Sequence, residues 1–220
     1  VLTSGYGEFF SFEKKDIESD NINLKKIRSN IKNVIKNDKF FSHGPISIRD
    51  LLILNDKIFF SFVKEQTSGC YNTSIMNAEF NLNYLNFSEF FSYEECMSYN
   101  NLKPFPYYLR PFSLQRAGGR MVSFKNEKIL LTTGDMGYLI IAQDKNSIFG
   151  KIISIDLQSK DYEIISMGSR NAQGLYYDKD ENIIILTEHG PLGGDEININ
   201  FNPDNKIIEN YGWPISSYGK

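Results

Sequence analysis

The sequence predicts an all-β fold, a β-propeller of four-stranded antiparallel sheets, and three observations predict it. An apolar strand, a short polar turn and a second apolar strand ending near Ser or Thr recur as IRDLLILNDKIFFSF (48–62), GRMVSFKNEKILLTT (119–133) and QGLYYDKDENIIILT (173–187). A second unit, a strand, a polar turn and a weaker strand, recurs at 7–27, 73–91 and 150–167. The two units alternate with a period of roughly 55–75 residues, the spacing of sheets that protect one another's faces. The alternative is a sandwich or irregular sheet that closes by itself.

Taken in order, residues 5–35 supply half a blade, with a second-type unit and no partner strands before it. Residues 46–91 supply a whole blade, IRDLLIL and KIFFSF inside and the polar NLNYLNF stretch toward the outer edge, where Asn and Lys suit exposure. Residues 92–118 break the pattern with Asn100, Asn101, Pro104, Pro106 and Pro111, and are too long for a turn. This loop runs into Gly118-Gly119, a pair that lets backbone approach a ligand or a neighbour closely. Residues 119–167 form a second whole blade and 172–199 a closing half. That is two blades and two halves, about three in all, whereas propellers close with at least about four. The chain 1–220 is therefore expected to be an incomplete, internal part of one propeller domain.

Composition narrows the function. With 41% hydrophobic residues, 23% charged residues and a net charge of −3, the chain is ordinary globular protein without a basic stripe, which argues against nucleic acid. No apolar run is long enough for a helical membrane span. Cys70 and Cys96, in SGCYN and YEECM, flank one strand pair and are expected to form a disulfide in an oxidising compartment. Two unrelated thiols in a cytosolic protein are the alternative. The chain starts at Val1 and not at an initiator Met, so the absence of a leader from it says little about location; a periplasmic or secreted location is expected.

The stretch 168–198 organises the chemistry. Its two strands are joined by the polar turn Asp178-Lys179-Asp180-Glu181-Asn182. Arg170-Asn171 precede the first strand, and Glu188-His189-Gly190-Pro191 and Gly193-Gly194-Asp195-Glu196 follow the second. A hairpin brings these ends together, placing a cation, an amide, carboxylates, an imidazole and freed carbonyls at one end of a sheet. Such a set suits an anionic ligand with a hard metal ion.

GSRNAQGL, TEHGP, GGDEIN and NYGWPISSYG, with RAGGRMV and LLTTGD upstream, resemble in order the soluble quinone-dependent sugar dehydrogenases, the glucose/sorbosone dehydrogenase family. The resemblance covers about 48–219 and is sharpest over 168–218. It implies a six-bladed propeller holding pyrroloquinoline quinone (PQQ) on calcium, oxidation of a sugar hydroxyl to a lactone, and an external electron acceptor. By the same resemblance Arg170 and Asn171 contact the quinone. Gly190 and Pro191 offer main-chain carbonyls to its calcium, with His189 beside them as a packing residue. Asp195, Glu196 and Tyr211 fall where a further, structural calcium is bound. Asp135 orients the catalytic histidine.

That histidine is missing. It should stand two or three residues before the GGR motif, at Arg116 or Gln115. Glutamine carries no proton, and arginine is always protonated, so neither replaces a base that typically contributes about 10²–10⁴ in rate. His43, in FSHGP, is either a loop residue or one reaching the channel from another blade. The expected function is a sugar dehydrogenase homologue with impaired turnover. A non-catalytic propeller that binds a ligand or a protein is the alternative.

Overall fold

The structure is a computed structural model describing residues 1–42, 44–99, 112–125 and 127–216. His43 and the proline-rich segment 100–111 lie outside the described residues. Four sheets follow one another along the chain. The first holds β1 (Leu2–Thr3), β2 (Phe9–Ser11) and β3 (Lys25–Ser29). The second runs β4 (Ile48–Leu54), β5 (Lys57–Thr67) and β6 (Cys70–Glu79). Between this sheet's third and fourth strands, β7 (Tyr84–Leu85) leaves to pair in parallel with β3, and β8 (Ser88–Phe91) returns to β6. A two-residue strand, β9 (Met97–Ser98), pairs with the far end of β6 at Cys70 and Tyr71. Cys70 and Cys96 are disulfide-bonded there, with Cα atoms 5.4 Å apart.

The third sheet is an antiparallel meander of β10 (Gly118–Phe124), β11 (Lys128–Thr133), β12 (Lys151–Asp156) and β13 (Tyr162–Met167). The fourth holds β14 (Ala172–Asp178), β15 (Ile183–Glu188) and β16 (Glu196–Asn200). It thus has three strands where the sequence pattern suggested two. β17 (Glu209–Asn210) then reaches back to pair in parallel with β13, as β7 does with β3. Each whole sheet begins on an innermost strand, and β10 packs against both β4 and β14. The first strands of three sheets therefore stand side by side, as at a propeller's axis.

Alternation explains the faces. Along β15, Ile184, Leu186 and Glu188 point into the third sheet while Ile183, Ile185 and Thr187 point away. Strands β5 and β6 are covered on both faces over their middles; β5 reads there as an apolar run, IFFSFV, whereas β6 buries the polar Asn72, Thr73 and Ser74. Phe9, Phe60 and Phe87 meet between the first two sheets with ring centroids 4.8–5.9 Å apart. Each such ring contributes about 1.5–3 kcal/mol by burial. Phe124, Leu130, Ile152, Ile184 and Leu186 form the core between the third and fourth sheets.

The Gly118-Gly119 pair serves this packing. Gly119 has φ +108°, and a Cβ on it would fall inside the Arg49 side chain of β4. Hydroxyls then join the sheets. Ser61 donates to the Gly119 carbonyl, Thr73 to Ala117 at 2.9 Å and Thr132 to Ala172 at 3.1 Å. The close approach is to a neighbouring sheet.

Candidate functional site

The site forms where β10 and β14 begin. Ser113–Arg116 make a short turn just before β10, held by the Ser113 N–H on Met136 O and the Met136 N–H on Arg116 O. This turn buries the Arg116 side chain and leaves Gln115 exposed. Arg116 Nη2 forms a buried ion pair with Asp135 Oδ2. Asp135 is fully buried and has two further donors, Gly137 N–H on Oδ1 and the Trp213 indole N–H on Oδ2, each at 2.8 Å. Burial pushes the Asp135 carboxyl up, while Arg116, these N–H groups and Arg170 oppose that shift. The Asp135 N–H itself donates to Arg170 O at 3.0 Å.

Arg170 stands over the Trp213 ring, its guanidinium carbon 5.6 Å from the centroid. Its Nη1 donates to His189 O at 2.6 Å and Gly190 O at 3.2 Å. The guanidinium and the loop carbonyls therefore meet, as the hairpin reading required. Glu188 holds the backbone that presents them. Its Oε2 accepts the N–H groups of Arg170 at 2.7 Å and Asn171 at 3.3 Å, and its Oε1 accepts Asn198 Nδ2 at 3.1 Å. Burial pushes the Glu188 carboxyl up to about 7 despite these donors.

Asn171 is buried and ties two sheets together. Its Oδ1 accepts Gly118 N–H at 3.3 Å and Gln173 Nε2–H at 3.0 Å. His189 is exposed, with Nδ1 3.8 Å from Asp195 Oδ2, so it sits on the rim and not in a packed interior. Asp195 Oδ1 accepts the Gly190 N–H at 3.0 Å, and Pro191 O accepts Gly194 N–H at 3.0 Å. Glu196 opens β16 and accepts Asn198 Nδ2 at 3.4 Å. Tyr211 follows β17 and packs against the core between the third and fourth sheets.

These donors bear on calcium directly. The Gly190 carbonyl faces a guanidinium, and the Pro191 carbonyl closes a turn. Among the described residues, no group of three or more His, Cys, Asp or Glu side chains gathers to hold a metal. Calcium takes about six to eight oxygens, carboxylates usually among them. The protein groups as they stand do not fit that ion without an anionic ligand supplying the rest. Arg170 over Trp213, by contrast, fits a flat ligand that carries carboxylates.

Two residues of this cluster are not assigned to it by the sequence. Trp213 is the sole tryptophan and lies in the quoted NYGWP motif, yet nothing local assigns it to Asp135. Glu188 was noted only as a carboxylate of the hairpin, whereas its buried bonds to both N–H groups of the Arg170-Asn171 pair shape the turn.

The family model for glucose/sorbosone dehydrogenases matches residues 53–220. The aldose sugar dehydrogenase YliI of Escherichia coli K12 is 34% identical over 115 residues, covering 46% of this chain and 30% of that protein. A crystal structure of a glucose dehydrogenase superposes with TM-score 0.69 at 19% identity, over 98% of this chain and 60% of that one. A PQQ-bound aldose sugar dehydrogenase from Streptomyces coelicolor gives 0.64 at 17% identity, over 96% and 60%. The fold is of their propeller type. The chain spans about 60% of these structures' lengths and about 30% of the curated relative's.

Proposed function

Because this chain belongs to the glucose/sorbosone dehydrogenase family, we propose that it is part of a sugar-dehydrogenase-type propeller that binds PQQ through Arg170 and is impaired at the proton-accepting position. The observation that carries this reading is the buried Arg116–Asp135 ion pair. The family resemblance puts a histidine base on that aspartate, and here a guanidinium takes its place.

When bound, the quinone supplies a two-electron acceptor for hydride leaving a sugar carbon. The chain's own residues do the rest. Arg170 offers a planar fork to a carboxylate or carbonyl, and Trp213 gives that fork a flat support. Glu188 fixes the backbone from which the arginine projects. Asp135 holds Arg116 and Trp213 in one arrangement. The groups facing Asp135, the guanidiniums, the Gly137 N–H and the Trp213 indole, are hydrogen-bond donors with no acceptor site. The carboxylates close by are engaged, Asp135 by Arg116, Gly137 and Trp213 and Glu188 by backbone N–H groups, so a sugar hydroxyl at this point meets no histidine base. Periplasmic or secreted placement agrees with the Cys70–Cys96 disulfide, and an external acceptor would receive the electrons.

Trp213, the sole tryptophan, is a built-in reporter. PQQ titrated into the full protein, with and without calcium, is expected to quench its fluorescence, and Arg170→Gln to weaken that binding at least about tenfold. Glucose-driven dye reduction should be about 10²–10⁴ below that of an intact site, and Arg116→His should raise it. No quenching, or quenching indifferent to Arg170, would sink the quinone reading and favour the non-catalytic module. Quinone binding with no gain from Arg116→His would remove the account of the impairment.

A further inference from the structure

We propose that Arg116 makes this site selective for an anionic sugar, one carrying a carboxylate, over a neutral aldose; the inference rests on the site being a sugar site as proposed above. Arg116 is only 7% exposed. One of its donors meets Asp135, and its buried Nε–H has no hydrogen-bond partner among the described residues. A buried charged donor left in that state is unfavourable, and an oxygen from a ligand would satisfy it.

Asp135 does not use up the charge. Its two oxygens already serve Gly137 N–H and the Trp213 indole as well as Arg116. Arg170 is a second cation within electrostatic reach of the same carboxylate. Two guanidiniums stand against Asp135, which offsets one of them, and Glu188 in the same field offsets only part of the other. Glu188 is the other carboxylate close by, and it is turned to the backbone N–H groups of 170 and 171. A neutral sugar hydroxyl would leave the excess charge uncompensated. A carboxylate would neutralise it and accept the free N–H in the geometry that guanidinium favours. The residue whose arrival removes the base therefore adds a selectivity element at the same spot.

A carboxylate at Arg116 has two sources, the sugar or the cofactor, and the experiment separates them. Trp213 fluorescence of the full chain is titrated with D-glucuronate, its methyl ester and D-glucose, first alone and then with PQQ present. The expected result is glucuronate binding at least tenfold tighter than the ester or glucose. That preference should vanish in Arg116→Gln, persist in part in Arg116→Lys, and survive saturation with PQQ. Equal binding of the three sugars, or a preference that outlives Arg116→Gln, would overturn the proposal. So would displacement of glucuronate by PQQ together with weaker PQQ binding in Arg116→Gln, since the cofactor would then own the arginine. PQQ binding that depends on Arg170 while no sugar acid binds would overturn this inference alone and leave the quinone reading standing.

Discussion

Removing the Asp135 carboxylate would leave the Arg116 guanidinium buried without a counter-charge, and would take an acceptor from the Trp213 indole. Breaking one side of a buried pair costs about 3–5 kcal/mol. We expect Asp135→Ala to lower the unfolding free energy by that amount in urea titrations. Adding Arg116→Met to it should recover part of the loss, because the stranded charge goes too. A loss under about 1 kcal/mol for the single variant would mean the pair is not buried as described. At this scale the sequence left Gln115 and Arg116 equivalent. Only the fold of the 113–116 turn turns Arg116 inward, onto Asp135, and Gln115 outward.

At the scale of elements, short segments position the site. The turn Leu139–Gln143 is pinned by Lys151, whose ammonium is buried and donates to Ile141 O, Ala142 O and Phe149 O at 3.0, 3.1 and 2.6 Å. Gln143 at its end donates to Trp213 O at 2.6 Å, which sets the tryptophan under Arg170. Burial lowers Lys151 to about 8. The unfolded chain restores a value near 10.5, so the folded state binds fewer protons between those limits. The destabilisation is complete below pH 8 and relieved as pH rises toward 10.5. The stability of the native chain relative to Lys151→Met should therefore climb across pH 8–10.5, by at most about 3 kcal/mol. Chemical denaturation at four pH values measures it, and a flat or falling difference would contradict the assignment. The apolar runs were readable because alternation and turn residues act within a few positions. The departures of β7 and β17 to neighbouring sheets were not, since a two-residue strand leaves no periodic trace.

Across the whole molecule, the sheets are joined by hydroxyls as well as by apolar faces. Thr132 Oγ1 donates to Ala172 O and accepts the Gly119 and Arg120 N–H groups at 3.1 and 3.0 Å. Thr132→Val keeps the shape and strands these buried groups, so a loss of about 2–3 kcal/mol is expected in urea unfolding. A value near zero would show that the sheets hold by apolar contact alone. The outward face of the fourth sheet is apolar: Tyr176, Ile185 and Ile199 lie in one row across its three strands. Tyr176 is 58% and Ile197 72% exposed. A propeller covers such a face with a further blade, in keeping with a chain that spans about 60% of its structural neighbours.

By itself the sequence determined the all-β repeat, the hairpin of 172–188 and the convergence of Arg170 with the carbonyls after β15. These depend on alternation, turn chemistry and a single chain reversal, all encoded within about twenty residues. Only the tertiary structure decided that Arg116 pairs with Asp135, that Trp213 bonds the same carboxylate, and that Asn171 ties sheet to sheet. Those contacts join positions 19, 78 and 53 residues apart. They exist because neighbouring sheets bring their first strands to one axis, and no local pattern records which side chains meet there.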